Sequence, residues 1–186
     1  LPVFYIFTHN IIWFYVLSVW GAISIGFAFA KMAQGFGMRV ISYSRHKKTD
    51  PKYDFIEQVD FDTLLAESDV ISIHAPLTPS TEDTFDADAF AKMKDGTILI
   101  NTARGGLIVE EALVDALQSG KVYGTGLDVI RDEPPKGDNP LLHQDNAAIT
   151  AHIAWLTRAS RLRAIDIAID NFKAYLRGEP VSVINK

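Results

Sequence analysis

Short apolar runs alternate with helix-period segments along almost the whole 186-residue chain, and that alternation constrains the fold more than any other feature. Strand-like runs fall at 39–43, 70–74, 97–100, 122–129 and 147–150. Between or after them lie helical patterns at 27–36, 61–67, 86–93, 109–119 and 155–176. Strands separated by helices imply βαβ units, because parallel neighbours need a crossover connection. The expected class is therefore α/β, a doubly wound parallel sheet with helices on both faces. Local signals mark the joints. Gly37 and Gly178 stand just past helix ends, Asp60 precedes a helix as an N-cap, Pro76 ends a strand and Gly96 opens one. Glu110 and Glu111 fall in the first turn of their helix, where the macrodipole favours a carboxylate. The loop 131–140, rich in Pro, Asp and Lys, reads as a rigid excursion rather than a linker.

Charge is distributed unevenly. The 18 Lys and Arg and the 23 Asp and Glu all follow residue 30. Residues 1–20 are almost wholly apolar and aromatic, long enough for a membrane span but without the charged start and small-residue cleavage site of a signal peptide. Their β-branched and aromatic content favours a buried strand within 11–19. A membrane helix and a segment foreign to the domain are the alternatives. The net charge of −5 offers no footprint for nucleic acid, so no nucleic-acid partner is expected. The absence of Cys excludes disulfides and thiolate metal sites and suits a reducing cytoplasm. The histidines at 9, 46, 74, 143 and 152 form no metal-type pair, and no metal is expected.

Three residues stand just after strand-like runs: Arg104, Glu133 and His152. In an open α/β sheet the carboxyl ends of the strands form the ligand crevice. A cation, a carboxylate and an imidazole delivered there suit acid–base chemistry on a small anion. A glycine pattern, GAISIG from Gly21 to Gly26, resembles the dinucleotide fingerprint of Rossmann-like folds at the start of a helix. Ile23 occupies the place of its middle glycine, where the backbone must approach a pyrophosphate, so Ile23→Gly is expected to raise cofactor affinity. The next strand ends in Tyr43-Ser44-Arg45 rather than in an acidic residue. Ser44 does not repel a 2′-phosphate and Arg45 can pair with one, which leans toward NADP or dual use; a solvated loop is the alternative.

The words INTARGGLIVEEALVDAL, GLDVIRDEPP and ITAHIAW, with SIHAPLTPSTEDTF and AFAKMKDG between, stand in an order and spacing that resemble the D-isomer-specific 2-hydroxyacid dehydrogenases over 21–186. DEPPKGDNPLL and HIAW most resemble their glycerate dehydrogenase, or hydroxypyruvate reductase, branch. The resemblance implies an NAD(P)-dependent oxidoreductase that moves a hydride between nicotinamide and a small 2-keto or 2-hydroxy acid. Hydroxypyruvate with D-glycerate, or glyoxylate with glycolate, is the expected pair. It implies His152 as general acid/base, Glu133 as the carboxylate that holds the imidazole, and Arg104 as the binder of the substrate carboxylate. It implies Asp128 beside the nicotinamide carboxamide, and Ser24, Ile25, His74, Ala75, Pro76, Thr102 and Ala103 as further cofactor contacts. Trp155 matches an aromatic that lines the pocket, with a core position as the equal alternative. Family members carry a substrate domain ahead of this one. Residues 1–20 do not resemble it, whereas GEPVSVINK resembles the family's usual ending, so a substrate domain missing from the front is expected. A homodimer in the cytoplasm is also implied. Two rivals remain: an inactive dinucleotide-binding fragment, and a cofactor-sensing, corepressor-like binding module.

Overall fold

A computed structural model describes residues 16–20 and 24–183. They form two compact units, one ending at Ala151 and one running from His152 onward. The first unit is built on a seven-stranded sheet in which every pairing is parallel. In chain order the strands are β1 (Val16–Trp20), β2 (Arg39–Tyr43), β3 (Glu57–Gln58), β4 (Val70–Ile73), β5 (Thr97–Asn101), β6 (Val122–Leu127) and β7 (Ala147–Ile149). In space they run β3-β2-β1-β4-β5-β6-β7. The helices of this unit are α1 (Ser24–Gly35), α2 (Phe61–Glu67), α3 (Ala87–Lys92) and α4 (Glu110–Gln118). The expected doubly wound α/β sheet is the fold observed.

The register shows why helices cover both faces. Paired residues in a sheet share a face, and β1 pairs with β4 as Leu17↔Val70, Ser18↔Ile71 and Val19↔Ser72. Leu17 and Val19 therefore point away from Ile71 and Ile73. Two separate cores follow. On one side Leu17, Val19 and Val40 pack with Ala30 and Ala33 of α1. On the other, Ile71, Ile73 and Leu99 pack with Leu64 and Leu65 of α2, Phe90 of α3, and Leu113 and Leu117 of α4. A strand buried on both faces must be apolar on both, which is why these strands read as continuous runs.

Chain ends of the elements follow local chemistry. Asp60 Oδ1 accepts from the Thr63 amide at 2.7 Å, the N-cap expected for α2, and Asp86 does the same for α3 through the Ala89 amide at 2.9 Å. Gly37, Gly96 and Gly178 take left-handed φ values of 79°, 82° and 77°. The inner strand β1, Val16–Trp20, lies inside the apolar stretch where a buried strand was expected; residues 1–15 lie outside the described residues. β3 was not anticipated, because two residues carry no readable period.

The second unit contains α5 (Arg158–Leu176). It starts three residues later than the sequence pattern suggests, because Thr157 acts as N-cap and accepts from the Ser160 amide at 3.2 Å. Among the described residues no helix is long and apolar enough to cross a membrane.

Candidate active site

β1 and β4 lie side by side at the centre of the sheet, but the chain leaves them toward opposite flanks. Such a switch point opens a crevice at the strands' carboxyl ends. A cleft of about 360 Å³ lies there, lined by Ile25 after β1, by His74, Ala75, Pro76 and Leu77 after β4, and by Thr102, Ala103 and Arg104 after β5. Residues named from three separate sequence words thus meet in one cavity. Leu77 was not among them; its only sequence signal was its place after Pro76.

The arginine loop is held from below. Asn101, fully buried at the end of β5, donates from Nδ2 to the Arg104 carbonyl at 2.8 Å and accepts at Oδ1 from the Ala103 amide at 2.9 Å. One side chain thereby fixes both ends of the turn that presents Arg104. The exposed guanidinium donates from Nη1 to the Ala103 carbonyl at 2.6 Å. Gly105 follows, where a Cβ would stand 1.9 Å from the backbone carbon of Ile130. Only glycine permits that approach, and it sets the arginine loop directly against the loop that follows β6.

His74 is 6% exposed, with Nε2 2.9 Å from Ser72 Oγ and its ring 5.9 Å from that of Phe29 in α1. Burial pushes its pKa below the ordinary imidazole value, so the ring is held neutral. Its ring thus packs between β4 and α1. Ser24 and Ile25 open α1 and are exposed, while Gly26 is buried, as close packing of helix on strand requires. Gly21 and Ile23 lie outside the described residues.

Ser44 and Arg45 line a separate cleft of about 250 Å³ with Tyr43, Lys47, Gln58 and Val59. Ser44 Oγ donates to the His46 carbonyl at 2.8 Å, and the Arg45 guanidinium bonds Ser80 Oγ. Gln58 grips the Lys48 backbone twice, accepting from its amide at 2.6 Å and donating to its carbonyl at 2.7 Å. Lys47 and Gln58 were missed by sequence reasoning. The run RHKK was a signal for the first; the second depends on β3, which the pattern does not reveal.

Asp128, 4% exposed, follows β6; its amide donates to the Asn101 carbonyl at 2.9 Å, and its Oδ1 accepts from Thr150 at 2.5 Å. Glu133 lies in the exposed 131–138 stretch, and its Oε1 accepts from the Ile130 amide at 3.2 Å. His152 and Trp155 belong to the second unit. His152 is exposed and takes a left-handed φ of 55°, a conformation that costs a non-glycine residue on the order of 1 kcal/mol. Trp155 is 56% exposed, so it is not a core residue. Among the described residues no three His, Asp or Glu side chains gather as a metal site requires.

Residues 15–154 match the NAD binding domain of the D-isomer specific 2-hydroxyacid dehydrogenases. The chain belongs to that family. The hydroxypyruvate reductase of Blautia hydrogenotrophica is 50% identical over 162 residues, covering 87% of this chain and 50% of the relative. The NAD-complexed D-isomer specific 2-hydroxyacid dehydrogenase of Lactobacillus delbrueckii ssp. bulgaricus superposes with a TM-score of 0.87 at 32% identity, covering 93% of this chain and 57% of that one. An acyclic imino acid reductase crystallised with NADPH and D-Arg superposes with a TM-score of 0.85 at 33% identity, covering 94% and 55%. The chain spans about half the length of the curated relatives it matches. The dehydrogenase family thus accounts for the parallel sheet and for the cleft at its switch point. The cleft also fits a dinucleotide chemically. Ile25, Pro76 and Leu77 give apolar walls for flat rings, Thr102 and Arg104 give polar groups beside them, and the second cleft sets Ser44, Arg45 and Lys47 together.

Proposed function

We propose that this chain is the dinucleotide-binding part of an NAD(P)-dependent reductase of small 2-keto acids. Hydroxypyruvate is the favoured substrate, with glyoxylate next; D-glycerate and glycolate are the reverse substrates. The observation that supports this reading best is the convergence of the loops after β1, β4 and β5 on one cleft with Arg104 at its rim. The dinucleotide, when bound, supplies the hydride. The chain's own residues supply the rest. The Arg104 guanidinium binds the substrate carboxylate and draws charge toward the keto oxygen, a task for a planar and permanently charged fork. His152 delivers the proton that the keto oxygen takes up as the carbon is reduced. Glu133 orients that imidazole. Asp128 and Thr102 hold the nicotinamide side of the dinucleotide, and Trp155 lines the substrate side. The 50% identity to a hydroxypyruvate reductase supports the choice of substrate. A homodimer working in the cytoplasm completes the reading, and sedimentation as a monomer at micromolar concentration would count against the dimer.

The experiment is a fluorescence titration with NADH and NADPH, followed by addition of hydroxypyruvate and by the same series on Arg104→Ala. Binding of either dinucleotide, turnover of hydroxypyruvate, and a fall of about 100-fold in kcat/KM for Arg104→Ala, well beyond any loss of dinucleotide affinity, are expected. Absence of dinucleotide binding removes the proposal. Binding without turnover restricts it to the dinucleotide.

A further inference from the structure

Glu110 was read from the sequence as a carboxylate that favours the N-terminus of α4, yet both of its oxygens bond to a different loop. Oε1 accepts from the Arg131 amide at 2.6 Å, and Oε2 accepts from Asn139 Nδ2 at 2.9 Å. The N-cap of α4, Val109, makes no side-chain capping bond. Glu110 therefore grips the two ends of the 131–139 loop, the loop that carries Glu133. Asn139 is pinned in the orientation this requires, because its Oδ1 accepts from the Leu141 amide at 2.9 Å and leaves Nδ2 toward Glu110.

Two further contacts act at the same point. The Arg131 guanidinium donates to the Ile108 carbonyl at 3.2 Å and pairs with Asp83, with Glu82 3.6 Å away. Gly105 lies against the backbone of Ile130 and Arg131 so closely that no Cβ fits. Asp83 in turn donates its amide to the Gly106 carbonyl at 3.0 Å, and the Phe85 amide donates to Leu107 at 3.0 Å. The short turn Gly105–Leu107, which begins at Arg104, is thus packed on one side by 83–85 and on the other by 130–131.

We propose that Glu110 is a positioning residue: it fastens the loop bearing Glu133 to the helix that follows Arg104, so that the guanidinium and the carboxylate hold one spacing. In catalysis by positioning, such spacing decides turnover rather than cofactor affinity. The catalytic part of this inference rests on the reductase reading given above; the fastening itself does not.

The side chains allow a reciprocal test. Glu110→Gln keeps an oxygen for the Arg131 amide but turns an NH2 toward that of Asn139. Asn139→Asp keeps the bond to Leu141 but sets two carboxylates face to face. In Glu110→Gln/Asn139→Asp the new amide donates to the new carboxylate, so the bond between the two side chains is restored with its direction reversed, while the bonds from the Arg131 and Leu141 amides keep theirs.

Amide exchange, NADH affinity, and kcat and KM for hydroxypyruvate are measured on the four proteins. In each single variant the Arg131 amide and those of 105–107 exchange together about tenfold faster. NADH affinity stays within about twofold, while kcat falls about tenfold. The double variant returns both exchange and kcat toward the parent values. Faster exchange in only one of the two loops overturns the fastening, as does failure of the double variant to recover. Faster exchange in both loops with unchanged kcat overturns the positioning role. A parent protein that binds no NADH removes the reductase reading, and the exchange data still decide the fastening.

Discussion

His74 shows how a residue can be named from sequence without its state being known. Resemblance places it among the cofactor contacts, but nothing in the word SIHAPL says that the ring is buried against Phe29 and bonded to Ser72. Burial is set by α1, which lies far from His74 in sequence. Its consequence is measurable. Desolvation disfavours the imidazolium, so the folded-state pKa lies below the ordinary 6.5 and the unfolded chain protonates first. The stabilising contribution is present above about pH 6.5 and is lost as pH falls from there through the depressed folded value. Denaturation measured between pH 7.5 and 5 is expected to show a steeper loss of stability in the parent than in His74→Gln. Asp50, Asp60 and Asp95 have carboxyl pKa values pushed down by their hydrogen bonds, so their titration lies lower and does not enter this window. Equal slopes for the two proteins would show that burial does not control the ring. Asn101 teaches the same lesson without a charge. The sequence reads it only as a letter of the word that carries Arg104, and only the fold reveals that its amide holds Arg104 in place.

Elements with a long period and a chemical cap were legible, and those without either were not. α2 was readable from its apolar spacing and from Asp60, and its bounds, Phe61–Glu67, agree to the residue. α5 was readable as a helix from Trp155, but it begins at Arg158, because the hydroxyl of Thr157 caps it there. The connection between β2 and β3 was the least legible part. Its order comes from tertiary bonds, namely Gln58 to the Lys48 backbone and the Arg39 guanidinium to Glu57 and Glu67, both at 2.6 Å. Those surface ion pairs add little stability, but they hold β3 beside β2. The element they shape presents Arg45 and Lys47 at one cleft. If a 2′-phosphate is held there, Arg45→Ala weakens NADPH by about 10- to 100-fold while leaving NADH within about twofold, since a charge-assisted bond to phosphate is worth roughly 1.5–3 kcal/mol. Parallel titrations with the two dinucleotides check this. An equal effect on both would assign Arg45 to its bond with Ser80 alone.

At the scale of the whole chain, alternation of strand and helix predicts a parallel sheet but not the order of its strands. That order follows from partners distant in sequence: Val16 beside Arg39 on one flank and Leu17 beside Val70 on the other. Placing β1 between β2 and β4 creates the switch point, and the switch point places the cleft. The site's composition was therefore readable as words, whereas its assembly required the topology. The two units also differ in how much they bury. The sheet unit contains both apolar cores, whereas the described part of the second unit has one buried residue, Ala174. Local opening follows buried contacts, so amides of α5 are expected to exchange at a lower opening free energy than those of β1, β4 and β5. Dinucleotide binding should widen the difference. A ligand that binds only the folded cleft adds about 2.7 kcal/mol at 100 times its Kd, and that increment appears in amides that exchange only when the sheet unfolds. Native-state hydrogen exchange with and without saturating NADH measures both quantities. If β4 and β5 gain no protection while NADH is bound, the dinucleotide does not occupy the cleft at their carboxyl ends.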